Sequence, residues 1–285
     1  MQLIINNKSV IAIILIILFI FVILPDSWGK VRFQAYKILR TMSRIHMDYI
    51  TRDFDIVKND NVSIKYKSNN RESAILVANT TREIIGPVNT LLGGYSHSES
   101  VPIILYPTMD ELNKSFGWEG DKSPMGVYWM GTIRVLAPEA WIGEEEQKET
   151  IFRNMGPMAH EYAHLVVDYK TNGNYTRWFT EGVAQYLEKE ITGFTLDEPD
   201  NSSKENIYPF SFLDRDFDEQ QNQELAYWQS LIAVEYLTEN YGSDIIKNML
   251  VPLGQGQDFS NVIKNFTGMD LTTFEGKVKE YAKTK

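Results

Sequence analysis

The hydrophobic pattern opens on its longest run: Val10 to Leu24 is fifteen apolar residues without interruption. After it, Lys30 to Tyr49 sets Val31, Phe33, Tyr36, Leu39, Met42 and Ile45 among basic residues at near-helical spacing. That pattern reads as a basic amphipathic helix, either lying on a membrane surface or packed on the rest of the chain as a stem. Alternation of Val62, Ile64 and Tyr66 predicts a short strand over Asn61 to Lys67. Arg71 to Leu92 is helical in period and stops at Gly93-Gly94, with a kink or break expected at Gly86-Pro87 inside it. Val101 to Tyr106 is an apolar run marked by prolines, which predicts a buried strand. Thr108 and Glu111 form a capping box for a short helix through Phe116. Gly126 to Leu136 predicts a strand or hairpin, with Gly131-Thr132 as its turn.

Beyond that point the periodicity is helical. Glu144 to Met155 is acidic, the mark of a solvated helix face, and Gly156-Pro157 interrupts it. Pro157 suits the first turn of a new helix, where its missing N–H costs nothing, and this helix should reach Tyr169 or so. A loop follows at Thr171 to Asn174, and a further helix begins near Arg177. Pro209 to Phe217 reads as irregular. Gln223 to Tyr241 is strongly periodic, with Asn222 as N-cap and Gly242 as its stop. Three more helices are expected, over Ser243 to Leu250, Asp258 to Phe266 and Leu271 to Ala282. The fold class is therefore α+β: a small N-terminal sheet with helices, then a mainly helical C-terminal subdomain. The expected divisions are a targeting segment (1–29), a stem helix (30–53), an α/β subdomain (54–142) and a helical subdomain (143–285).

Composition changes this picture in three ways. A net charge of −10 argues against nucleic acid as a partner, because phosphate contacts need clustered Lys and Arg. The chain has no cysteine, so any metal must rest on His and carboxylates. The apolar run Val10 to Leu24 is short for a spanning helix and long for the core of a signal peptide. It reads as a membrane anchor or as a signal cleaved after Gly29, with the rest of the chain exported in both cases. The charge rule points the other way, since Lys8 alone precedes the run and Lys30, Arg32, Lys37, Arg40 and Arg44 follow it.

The chemistry is concentrated in His160-Glu161-Tyr162-Ala163-His164. On a helix, His160 and His164 stand one turn apart on one face and reach a single ion. Glu161 points beside that ion, where a general base acting on water belongs. Two histidines leave a tetrahedral zinc ion short of one protein ligand and one water. Glu181, seventeen residues after His164, is the candidate third ligand. The other two histidines, His46 and His97, have no carboxylate pattern around them and read as solvated or packed.

His160-Glu161-x-x-His164 followed by Trp178-Phe-Thr-Glu181-Gly-Val-Ala-Gln-Tyr resembles the gluzincin zinc metallopeptidases. Trp178-x-x-Glu181-Gly-x-Ala is similar to the aminopeptidase N group, and His164-Leu-Val-Val-Asp-Tyr169 to thermolysin-like enzymes. The C-terminal half most resembles bacterial peptidase MA-like domains, including Tyr227-x-x-Ser230. The resemblance implies a zincin-like fold, zinc on His160, His164 and Glu181, Glu161 as base, and Tyr227 as oxyanion donor. It further implies a peptide or protein substrate; with the apolar N-terminal run and no mark of an amine-recognition site, the expectation is an extracytoplasmic, membrane-associated endopeptidase. Three departures stand out. The spacing to Glu181 is short, Gln185 stands where thermolysin-like enzymes have an Asp that orients the first histidine, and the Gly-x-Met-x-Asn aminopeptidase signature is absent. Gln185 or Asp168 is then the expected partner of a metal histidine. The alternative function is a non-catalytic, zinc-stabilised binding or sensor module at the cell surface.

Overall fold

A computed structural model describes residues 28–95, 100–118, 124–143, 145–204 and 206–285. The run Val10 to Leu24 and His97 lie outside the described residues. Helix α1 (Trp28–Ile50) leads into a five-stranded mixed sheet made of β1 (Asp55–Asn59), β2 (Val62–Tyr66), β3 (Val101–Tyr106), β4 (Gly126–Trp129) and β5 (Thr132–Leu136). The strand order is β1-β2-β3-β5-β4. The three central strands run parallel, with Ile64 beside Ile103 and Ile103 beside Ile133, and each edge strand is antiparallel to its neighbour.

Both faces of the sheet are covered. Val62, Ile64, Ile103, Leu105, Ile133 and Val135 pack into the main core with α2 (Arg71–Leu91), which buries Ala74, Val77 and Ala78. On the other face, Ile104, Tyr106 and Leu136 meet Met47 of α1 and Leu112 of α3 (Met109–Phe116). Thr108 caps α3 as expected, accepting from the Glu111 N–H.

The helical part contains α4 (Lys148–Met155), α5 (Met158–Thr171), α6 (Arg177–Thr192), the short α7 (Asn201–Lys204) and α8 (Phe210–Arg215), and α9 (Gln223–Tyr241). It ends with α10 (Ile245–Gly254), α11 (Phe259–Thr267) and α12 (Leu271–Ala282). Trp178, in the first turn of α6, is buried: it stacks on Phe210 at 4.2 Å and meets Phe259 edge-on at 5.4 Å. This aromatic cluster pins the start of α6 to α8, α11 and α12. Gly182 lets α6 approach α9, since a Cβ there would lie 2.1 Å from the Ser230 carbonyl oxygen. Asn222 caps α9 through the Leu225 N–H, and Gly242 ends it with a φ of 92°.

Several local expectations are corrected. The β4–β5 turn is Met130-Gly131, not Gly131-Thr132: Trp129 pairs with Thr132, and φ is 44° and 88° at the two turn residues. A two-residue hairpin of this kind (type I′) has positive φ at both positions, and methionine rarely supplies it. Strand β1 carries no expectation from the sequence because it is an exposed edge without a clean alternation. Helix α2 runs unbroken past Pro87 and ends instead at the positive-φ pair Gly93-Gly94. The stretch after Pro209 is not irregular throughout but forms α8, with Phe210 and Leu213 buried. No helix among the described residues is long and apolar enough to cross a membrane.

A buried polar cluster ties α1 to this body. Asp168 of α5 is fully buried and pairs with Arg40 of α1 at 2.8 Å. The same carboxylate accepts from Tyr128 of β4 at 2.6 Å, from Tyr175 at 3.4 Å and from Tyr36 of α1. Arg40 also lies over the Tyr169 ring, 3.7 Å from its centroid. Burial, and then the Asp168 charge, push the Tyr128 phenol well above its ordinary pKa, so it remains a donor. Asp168 therefore serves the docking of α1 and β4 and does not orient a metal histidine. Removing one partner of a buried ion pair leaves the other uncompensated. Arg40→Ala is expected to cost about 3–5 kcal/mol in denaturant unfolding, and Arg40→Met with Asp168→Asn to recover most of that loss; equal stability of Arg40→Ala and the parent chain would refute the assignment.

Candidate metal centre

The site forms where α5 and α6 face each other. A five-residue link, 172–176, joins them, and Asn172 and Gly173 turn the chain with φ of 51° and 75°. The tight reversal explains how Glu181 reaches His160 and His164 across a short spacing. His160 Nε2 lies 3.3 Å and His164 Nε2 3.5 Å from Glu181 Oε2. The two imidazoles stand 4.7 Å apart between ring centroids and nearly perpendicular. His160, His164 and Glu181 each turn one ligand atom into a common space, all within 4.8 Å of one another, and so could hold a metal ion.

A physical test supports that reading. Glu181 Oε2 is buried, and despite its approach to both Nε2 atoms it makes no hydrogen bond. A buried carboxylate oxygen without a hydrogen bond is costly unless something else satisfies it. Ligand atoms about 2.0–2.1 Å from a tetrahedral ion stand about 3.3 Å from one another. The two measured separations match that edge. The opposite ring nitrogens are held from behind: His164 Nδ1 meets Thr180 Oγ1 at 2.7 Å, and His160 Nδ1 meets Glu188 Oε2 at 3.3 Å. Both Nε2 atoms are thereby aimed at the common point.

Glu188 thus takes the place expected of Gln185 or Asp168. Gln185 donates to the Tyr227 carbonyl at 2.8 Å and so braces α6 on α9. Glu188 was legible in principle: it lies seven residues after Glu181, two helical turns along, on the same face of α6. Arg177, one turn before Glu181, binds the other oxygen, Oε1, at 2.7 Å, and also reaches Asp218.

Burial alone would raise the Glu181 pKa, but Arg177 and the two imidazoles hold it well below the usual carboxylate range. Burial lowers the His160 pKa, and the carboxylates of Glu181 and Glu188 override it, so that without an ion this imidazole sits well above its ordinary value. Glu161 behaves differently. Burial raises its pKa, which the two histidines only partly offset. Its Oε2 accepts the Tyr128 backbone N–H from β4, so the edge strand and the carboxylate are joined directly. Gly126 makes room for this contact, because a Cβ there would come within 2.8 Å of the Pro157 ring and 3.0 Å of the Glu161 side chain.

Tyr227 lies on α9, partly buried, with its ring edge-on to Phe217 at 5.1 Å. The charge of Glu181, and after it burial, raises its pKa, which sets the phenol in the field of the site. His46 is exposed on α1, far from any ligand group of this cluster in sequence.

Two histidines one turn apart on a helix, a glutamate from the next helix and a mixed sheet whose edge strand touches the adjacent glutamate place the fold and the site in the gluzincin-like class. The family model of the Peptidase MA superfamily matches residues 94–284, and the chain belongs to that superfamily. The chain is 24% identical over 230 residues to the uncharacterized protein YhcO of Bacillus subtilis (strain 168), covering 75% of this chain and 68% of that protein.

Loss of a carboxylate behind a metal histidine typically weakens metal binding ten- to hundredfold. Glu188→Ala is accordingly expected to lower affinity for a divalent first-row metal by roughly that factor in chelator competition, with Gln185→Ala close to the parent chain. The reverse ranking would reinstate Gln185 as the orienting group.

Proposed function

We propose that the chain is a zinc-dependent endopeptidase acting outside the cytoplasm. The observation that carries this reading is the division of labour at the site: three ligand atoms converge, while Glu161 stays out of the ligand set and is fastened to the edge strand. Two imidazoles, one carboxylate and no thiolate suit zinc with an open position. When bound, zinc polarises the scissile carbonyl and acidifies the attacking water. A purely structural site has no use for a base beside it, and this favours catalysis over the sensor-module reading.

The residues divide the remaining work. Glu161, its pKa raised by burial, accepts the water proton and delivers it to the leaving amine. The Tyr128 N–H fixes one carboxylate oxygen and leaves the other for proton transfer. Tyr227 keeps its proton, because Glu181 and burial both oppose its ionisation, and donates to the oxyanion. Among the described residues strand β4 pairs with β5 on one side only, so an extended peptide can add to its other edge. Such pairing lets substrate extend to both sides of the cleaved bond, which suits an endopeptidase. The export half of the proposal rests on the apolar run Val10 to Leu24.

Glu161→Gln is expected to retain about one zinc per chain and to lose roughly 10²–10⁴-fold in hydrolysis of a quenched-fluorescence peptide library. Equal hydrolysis by both proteins would sink the mechanism; no hydrolysis by a zinc-loaded parent chain would favour the binding module. Tyr227→Phe should lower kcat by about 10- to 1000-fold with little change in KM, the signature of a contact made only in the transition state. A change confined to KM would remove Tyr227 from the oxyanion role.

A further inference from the structure

Helix α1 is inside out. Its buried positions are Arg40 and Met47, with Tyr36 beside them on Asp168, so much of the face turned to the protein is polar. Its apolar residues point away: Ile38 and Met42 are 60% exposed, Ile45 63% and Tyr49 65%. At 3.6 residues per turn these four fall on one stripe, and exposed Leu39 and Ile50 widen it to an arc of about 140°. His46 is the polar member of that arc. Soluble helices turn such an arc to their own core, and a contiguous exposed apolar face of this kind marks a docking surface.

Four observations select the occupant. The arc is wider than the two-in-seven seam of a paired helix, which argues against a second copy of α1. In a chain of net charge −10, Trp28–Ile50 carries Lys30, Arg32, Lys37 and Arg44 against Asp48, apart from Arg40, which is buried and paired with Asp168. Lys37 is exposed on one flank of the arc. The fifteen-residue apolar run ends at Leu24, only four positions before Trp28, so any membrane that holds the run is within reach of α1. Trp129, an aromatic suited to the lipid–water boundary, is exposed beside Gly131 at the hairpin tip, which abuts Arg40 and Arg44.

We propose that the outward face of α1 lies in the surface of an anionic lipid bilayer. The helix is then a two-sided adaptor. Its apolar face enters the headgroup boundary, and its polar face grips the helix that bears His160 and His164.

The absence of cysteine makes the proposal directly testable. Single cysteines replacing Met42, Ile45 or, as control, exposed Ser260 on α11 would carry an environment-sensitive fluorophore. The full chain would be reconstituted in vesicles of phosphatidylcholine and phosphatidylglycerol containing lipids brominated on the acyl chains. The expected result is a blue shift and at least twofold quenching by brominated lipid for Met42→Cys and Ile45→Cys, with neither for Ser260→Cys. Probes at 42 and 45 that remain in water would overturn the proposal. Shielding without lipid quenching, together with disulfide cross-linking of unlabelled Met42→Cys, would overturn it in favour of a second copy. Each outcome is read from the probe rather than from peptide hydrolysis, so failure here leaves the peptidase reading standing.

Discussion

A single buried carboxylate, Asp168, organises the arrangement of the elements around the helix that carries His160 and His164. With no exposure to water it needs compensation, and it draws that from three separate parts of the chain: Arg40 and Tyr36 on α1, Tyr128 on β4, and Tyr175 in the link to α6. Each donor brings its element against the back of α5. The cost of desolvating the charge is offset only if all of these elements are in place, so the contact favours one arrangement over looser alternatives. Tyr128 matters twice, because its side chain binds Asp168 while its backbone N–H binds Glu161.

The front of the same helix shows the complementary logic. The three candidate ligand atoms are held from behind: Thr180 and Glu188 hold the far nitrogens, Arg177 holds the far oxygen of Glu181, and Trp178 anchors the helix that carries both glutamates. Gly182 admits α9 to van der Waals range directly behind Glu181, which brings Tyr227 into the field of the site. Neighbouring positions on α6 therefore divide ligand, support and packing among themselves with little room for substitution.

Much of this was legible in the chain. The HExxH spacing named His160, Glu161 and His164, and the following Trp-x-x-Glu-Gly segment named Glu181, because ligand geometry on a helix is a local property. Strong periodicity and caps likewise marked α3, α6 and α9. What sequence could not supply was partner choice at a distance. Asp168 carries no local sign that its partner lies on α1, 128 residues away. Analogy of position points to Gln185, whereas the crossing of α6 and α9 gives Gln185 to the Tyr227 carbonyl and leaves the place to Glu188. The amphipathic pattern of α1 was visible, but which face turns inward was not: hydrophobicity predicts the opposite of what the buried ion pair imposes.

The reach of α1 also bears on inheritance. The family match begins at residue 94, whereas Arg40 and Tyr36 lie before it and Asp168 lies well inside it. The part of the chain shared with the family and the part before it therefore meet in one buried cluster, with Tyr128 and Tyr175 supplied from inside the match and Arg40 and Tyr36 from outside it.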